Sequence, residues 1–75
     1  MKDNKRIEIN PDIMLGKPVI KGTRITVELI LKQLSEGMSV EEILANYPQL
    51  KKEDISAAIQ YATQLVRQEK VFSFK

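Results

Sequence analysis

Apolar and polar residues alternate at the start of the chain, which is the pattern of a half-buried strand. Within residues 6–10, Ile7 and Ile9 fall on one face and the polar side chains fall on the other. The β-branched residues 19–20 suit a second strand, which we expect to pair with the first across the turn region 11–16. A β-hairpin is therefore predicted for the N-terminal part of the chain.

Apolar residues after the hairpin recur every three or four positions, which is the period of amphipathic helices. Helix one is predicted to begin after Thr26, which can cap its first turn, and to end before Gly37, which suits a left-handed C-cap. Helix two is predicted to begin at Ser39, which forms a capping box with Glu42. Because Pro48 cannot continue a helix, helix two should end before it.

Helix three is predicted over residues 52–70, a stretch without glycine or proline. Each of the three helices then presents one apolar stripe to a common core. The residues predicted to face that core are Val27, Ile30, Leu31, Leu34, Val40, Ile43, Leu44, Tyr47, Ile55, Ala58, Ile59, Ala62, Leu65 and Val66.

The predicted fold is a mainly α single domain. A hairpin arm occupies residues 1–25, a three-helix bundle occupies residues 26–70, and a tail follows at residues 71–75. A chain of 75 residues buries only about 60 % of its unfolded surface. Because such a small core gives marginal stability, self-association is expected, and a homodimer is predicted.

The composition argues against several classes of function. The chain has no cysteine and no histidine, so neither a disulfide framework nor an ordinary zinc site is expected. Its carboxylates are scattered over amphipathic helices, and the spacing of a phosphate-binding loop is absent, so we expect neither an enzyme nor a cofactor. No apolar run approaches the roughly 20 residues of a bilayer span, which predicts a cytoplasmic protein without a membrane segment.

Charge is distributed unevenly along the chain, although the net charge is only +2. Residues 1–24 carry six cations and three anions, residues 25–50 one cation and four anions, and residues 51–75 five cations and three anions. A basic hairpin therefore precedes an acidic middle segment. This is a mild electrostatic signature, weaker than that of strongly basic nucleic-acid-binding proteins.

Helices two and three, joined by the short turn 47–50, have the proportions of a helix-turn-helix motif, whose second helix enters the DNA major groove. Removing the apolar stripe from helix three leaves a polar row near its N-terminus. In that row Ser56 and Gln60 are candidates for base contacts. Lys51 and Lys52 are candidates for phosphate contacts.

The anions Glu53 and Asp54 weaken this interpretation. They lie in the first turn of helix three, where they favour the helix dipole but repel phosphates. They also nearly cancel the charges of Lys51 and Lys52. The alternative interpretation is that these four charges are ordinary surface residues of a helix N-terminus, since a helix-turn-helix fold does not specify DNA binding.

The basic hairpin offers a second candidate surface. Lys17, Lys21 and Arg24 could contact phosphate or a minor groove, as basic arms do beside a helix-turn-helix. The alternative is that the two lysines are solvated loop residues and that Arg24 forms an ion pair with a nearby acid such as Glu28, four residues further along.

A series of short motifs extends from about Ile7 to about Leu65. The motifs are Asn10-Pro11-Asp12, Gly16-Lys17-Pro18, Ile20-Lys21-Gly22-Thr23-Arg24-Ile25, Gly37-Met38-Ser39, Glu41-Glu42-Ile43, Tyr47-Pro48 and Glu53-Asp54-Ile55. In this order they resemble domain of unknown function 433, a bacterial and archaeal family of small homeodomain-like helix-turn-helix proteins. The chain departs from the family pattern at Lys51, where threonine or serine usually precedes the last helix.

The resemblance implies an antitoxin role, because members of this family are often regarded as antitoxins partnered with nuclease-like toxins of the PIN type. Helix three of each subunit would then read one half-site of DNA. The tail 71–75 would bind the toxin by strand addition or by insertion of Phe72 and Phe74. The alternative is that both rings cover the protein's own core.

A second function hypothesis treats the chain as a protein-interaction module without DNA binding. In that case the acidic middle segment would suit a basic partner, and the helix-turn-helix would serve only as scaffold.

Overall fold

The computed structural model describes residues 4–68 and contains a two-stranded ribbon followed by three helices. In chain order the elements are β1 (Ile7–Glu8), β2 (Val19–Ile20), α1 (Val27–Ser35), α2 (Val40–Asn46) and α3 (Lys52–Gln68). The predicted mainly α fold with a short N-terminal hairpin is confirmed. In the described part of the chain, none of the helices combines the length and apolar composition that crossing a membrane would require.

The two strands pair antiparallel, with Ile7 opposite Ile20, as the hairpin prediction requires. β1 is shorter than predicted, because the side chain of Asn10 accepts a hydrogen bond from the backbone of Asp12 at 2.8 Å and starts a turn. Ile9 lies at this turn and is 59 % exposed. The strand predicted over residues 6–10 therefore does not extend to Ile9.

A side-chain cap begins α1, and a backbone motif around Gly37 ends it. The hydroxyl of Thr26 accepts a hydrogen bond from the backbone of Leu29 at 3.0 Å, which caps the first turn as predicted. At the other end Gly37 adopts a φ of +93°. The amides of Gly37 and Met38 donate to the carbonyls of Leu34 and Gln33, which forms a Schellman motif.

α2 has both predicted boundaries. The Ser39 hydroxyl accepts from the Glu42 backbone at 3.1 Å, and the Glu42 carboxylate accepts from the Ser39 backbone at 2.8 Å. This reciprocal pair is the predicted capping box. α2 ends at Asn46, two residues before Pro48, and the connection 47–51 leads to α3.

The core lies where the ribbon and the three helices meet. Its most deeply buried large side chains are Val19, Ile30, Ile43 and Ile55. Of these, Ile30, Ile43 and Ile55 were predicted from the helical stripes.

The inner face of α3 differs from the predicted stripe. Ala57 and Tyr61 are buried, whereas Ile59, Leu65 and Val66 are 44 %, 38 % and 70 % exposed. Beyond residue 62 every position of α3 except 64 is exposed, so the end of the helix extends past the core. The prediction of a continuous buried stripe is therefore wrong for Leu65 and Val66, which lie past the core, and for Ile59, which lies off the buried face of Ala57, Ala58 and Tyr61.

Candidate nucleic-acid interface

The N-terminal half of α3 presents a polar row to solvent. Glu53, Ser56 and Gln60 are exposed and lie three and four positions apart, so they share one face of the helix. Lys51 and Lys52 are exposed at its start. These side chains are therefore accessible to a polar or charged ligand.

A segment preceding β1 lies beside this row. Residues 4–6, which we call the N-terminal arm, line a cleft of about 320 Å³ together with residues of α3. We call it the arm–α3 cleft. Its lining residues are Asn4, Lys5, Arg6, Glu53, Ser56, Ala57 and Gln60. The two predicted base-contacting residues thus share one cleft with two cations from a distant part of the sequence.

Two hydrogen bonds attach the arm to α3. The amide nitrogen of Asn4 donates to the carbonyl oxygen of Ala57 at 3.1 Å. The guanidinium of Arg6 donates to Oδ1 of Asp54 at 2.9 Å. The arm is joined further to the ribbon, where the amide of Lys21 donates to the carbonyl of Arg6 at 2.8 Å. These three hydrogen bonds join the arm to α3 and to the ribbon.

The Arg6–Asp54 ion pair changes the charge balance at the start of α3. The side chain of Asp54 is only 8 % exposed, while that of Arg6 is 45 % exposed. The expectation that Glu53 and Asp54 together offset the lysines is therefore wrong for Asp54, whose carboxylate faces inward and is paired. Of the anions in the first turn of α3, only Glu53 faces solvent.

Asp54 also stabilises the helix start. Its Oδ2 accepts a hydrogen bond from the backbone amide of Lys51 at 2.9 Å. This is the carboxylate half of a capping box, with Lys51 at the position where serine or threonine would supply the other half. The side chain of Lys51 is thereby left exposed and cationic at the edge of the candidate interface.

The predicted hairpin cations are all exposed. The ammonium of Lys17 forms an ion pair with Glu28 at 3.2 Å. Among the ion pairs of residues 4–68 there is none between Arg24 and Glu28, so that expectation is wrong. Lys21 lies opposite Arg6 in the ribbon and is the hairpin cation whose backbone is joined to the arm.

Sequence reasoning did not single out the three arm residues. One signal was available: Lys51 directly precedes α3, and in a capping box the side chain three residues after the N-cap accepts the N-cap backbone amide. Asp54 is the acid three residues later, which is the capping-box spacing. The partner of Asp54 is 48 residues away in sequence, and no local pattern identifies it. The predicted partner-binding residues Phe72 and Phe74 lie outside the described residues.

A second concave surface lies on the other half of α3. This groove, of about 560 Å³, runs between α1 and α3. Leu31 of α1 and Tyr61 and Leu65 of α3 give it an apolar lining, and Glu28 and Lys32 contribute charged groups. We call it the α1–α3 groove. It is larger and more apolar than the arm–α3 cleft, so the two surfaces suit different ligands.

Comparison with known proteins gives consistent matches. A family model described as "Protein of unknown function (DUF433)" matches residues 7–62. An uncharacterised protein of Sinorhizobium fredii (strain NBRC 101917 / NGR234), y4eO, is 42 % identical over 53 residues, 71 % of this chain. The chain spans only 24 % of the length of that curated relative. A 2.00 Å crystal structure of a DUF433 member from Anabaena variabilis ATCC 29413 is 40 % identical with a TM-score of 0.78, covering 84 % of this chain and 62 % of that one. The chain belongs to the DUF433 family of proteins of unknown function.

Proposed function

We propose that the protein is a small, non-enzymatic DNA-binding protein that uses the N-terminal half of α3 and the N-terminal arm as its contact surface. In this proposal α2, the connection 47–51 and α3 act as a homeodomain-like helix-turn-helix, with α3 in the major groove. Gln60 reads a base edge and Ser56 contacts a base or phosphate. Lys5, Lys51 and Lys52 contact phosphates.

The observation that carries the proposal is the inward-facing, paired carboxylate of Asp54. An exposed acid at this position would oppose a phosphate backbone, whereas Asp54 is 6 % exposed and bonded to Arg6 at 2.9 Å. Arg6 and Asp54 offset each other as an ion pair, and the other charges around the first turn of α3 are three exposed lysines and one exposed acid, Glu53. A net positive surface beside an exposed polar row is what phosphate and base contacts require.

The proposal is tested by an electrophoretic mobility shift on DNA upstream of the protein's gene. Wild-type protein should shift this DNA, and the affinity should fall steeply with salt because phosphate contacts release counterions. Lys51→Glu/Lys52→Glu should abolish the shift. The absence of a salt-sensitive shift with wild-type protein would refute the DNA-binding proposal.

A matched control uses the same helix. Arg67→Glu reverses one exposed cation at the last turn of α3, roughly 22 Å along the axis from Lys52. Lys52→Glu alone should weaken binding about ten-fold or more, whereas Arg67→Glu should leave it within about two-fold, since each reverses one positive charge but only Lys52 lies at the start of α3 near the polar row. Equal losses would indicate an effect of net charge and not of this surface.

We further propose that the protein acts as the antitoxin of a pair with a PIN-like nuclease toxin, and that Phe72 and Phe74 contact the toxin. The support is the family resemblance, together with a tail that carries both phenylalanines of the chain. Co-expression with the neighbouring reading frame tests this proposal. The pair should co-purify, and deletion of residues 71–75 should abolish both co-purification and neutralisation; a truncated protein that still neutralises its neighbour would refute the role of the tail.

A protein-interaction module without DNA binding is the second candidate function, and the apolar α1–α3 groove favours it. Association through an apolar groove depends only weakly on salt. Association through phosphate contacts depends strongly on salt, because it releases counterions. Titration of the co-purified partner at low and high salt therefore separates the two candidates. A partner whose binding is insensitive to salt, together with no DNA shift, would support the interaction module.

A further inference from the structure

Two apolar features of the described chain are uncovered. The first is the turn at residues 14–15, which we call the apolar tip; Leu15 is 93 % exposed and Met14 is 41 % exposed. The second is the α1–α3 groove. We propose that the protein forms a two-fold symmetric dimer in which the apolar tip of each copy occupies the α1–α3 groove of the other. This inference is independent of the proposed DNA-binding function.

The backbone presents the tip in an unusual conformation. Met14 has a φ of 50° and Leu15 a φ of 60°, in the left-handed region that residues other than glycine rarely adopt. Backbone hydrogen bonds fix this turn: Gly16 donates to the carbonyl of Ile13 at 3.0 Å, and Lys17 donates to that of Met14 at 3.1 Å. An ordered, strained turn that points a leucine outward indicates that the leucine serves a contact.

The tip and the groove are neighbours on one chain without meeting. Pro18 lines the groove and is three residues from Leu15, yet Leu15 remains almost fully exposed and lines no part of that groove. A second copy supplies the missing contact, because a knob and a groove on one chain form a self-complementary surface. Two-fold symmetry then satisfies both knobs and both grooves and closes the assembly.

Charged residues beside the two features are complementary as well. Asp12 and Lys17 flank the apolar tip, and Lys32 and Glu28 lie at the groove. Asp12 can pair across the proposed contact with Lys32 of the partner subunit, whereas Lys17 and Glu28 pair with each other within one chain at 3.2 Å. The side chains of Lys17 and Glu28 are 55 % and 72 % exposed, so their mutual ion pair leaves both accessible to a partner.

Sedimentation velocity tests the proposal at micromolar concentrations. Wild-type protein should sediment as a dimer. Leu15→Gly suits the left-handed backbone and removes only the side chain, so it should raise the dimer dissociation constant by roughly 30-fold or more while circular dichroism shows the same helical content. Leu65→Asp in the groove should have the same effect on dimerisation, whereas Val66→Asp, which is next to it and outside the groove, should leave the dimer intact.

A mixing experiment tests the reciprocal geometry. Leu15→Lys and Leu65→Asp should each be monomeric alone. Mixed in equal amounts they should form a heterodimer, because one tip–groove contact is then wild type and the other pairs a lysine with an aspartate. A monomeric wild-type protein, a dimer that survives Leu15→Gly, or a mixture that stays monomeric would each overturn the proposal.

Discussion

Arg6 and Asp54 join the N-terminal arm to the start of α3 through a 2.9 Å ion pair, although 48 residues separate them in the sequence. The same carboxylate accepts the backbone amide of Lys51, so one side chain both attaches the arm and completes the helix start. In the proposed interface this pair has a further consequence. It places a half-exposed cation beside the polar row and turns an acid away from it.

Arg6→Ala should destabilise the fold. The carboxylate of Asp54 would stay buried with the Lys51 amide as its remaining bonded partner, and such a loss costs about 1–3 kcal/mol. This loss of unfolding free energy is smaller than the loss on breaking a fully buried ion pair, because the side chain of Arg6 is 45 % exposed. Urea denaturation should show a lower midpoint with an unchanged slope.

Two variants separate this effect from a general loss of charge. Lys5→Ala removes the neighbouring exposed cation and should change the unfolding free energy by less than about 0.5 kcal/mol. In an Asp54→Asn background, Arg6→Ala should cost less than in the wild type, because no buried charge is left unpaired. If both backgrounds gave the same loss, the ion pair would not be its cause.

The elements specified by neighbouring residues were the ones that the sequence predicted well. The α2 capping box and the left-handed Gly37 depend on side chains and backbone within a few residues, and both predictions are confirmed. The Arg6–Asp54 pair depends on tertiary packing. The positive φ values at residues 14–15 were not predicted because neither position is a glycine, the residue that usually signals this conformation. The polar row on α3 was predicted, but the arm beside it was not.

Ser39→Ala should lower stability by removing the N-cap of α2. The hydroxyl of Ser39 accepts the Glu42 amide at 3.1 Å, and loss of such a cap costs about 1 kcal/mol. Ser35→Ala is the matched control, because the hydroxyl of Ser35 donates to the Lys32 carbonyl at the exposed end of α1. It should change the unfolding free energy by less than about 0.5 kcal/mol. Equal changes in the urea midpoint would contradict the role assigned to the cap.

Ile43→Ala should be the more severe of two chemically identical substitutions. Ile43 is 0 % exposed, so truncation leaves a cavity and should cost about 2–5 kcal/mol. Ile9→Ala makes the same change at a residue that is 59 % exposed and should cost less than about 0.5 kcal/mol. For a domain of this size the first loss could exceed the whole stability, which circular dichroism at 25 °C would register as unfolding. A folded Ile43→Ala protein as stable as Ile9→Ala would contradict the assigned core.

Gln60→Ala and Lys52→Ala should weaken DNA binding in different ways if α3 occupies the major groove. Gln60 contacts a base edge in the proposed complex, so its loss should cost about 1–3 kcal/mol on the preferred sequence and little on unrelated DNA. Lys52 contacts a phosphate, so its loss should weaken binding to all sequences and reduce the slope of log affinity against log salt by about one. Fluorescence anisotropy on a specific and a scrambled duplex, at several salt concentrations, measures both quantities. If the two variants changed the salt slope equally and left sequence preference intact, Gln60 would not be reading a base, and the orientation proposed for α3 would be wrong.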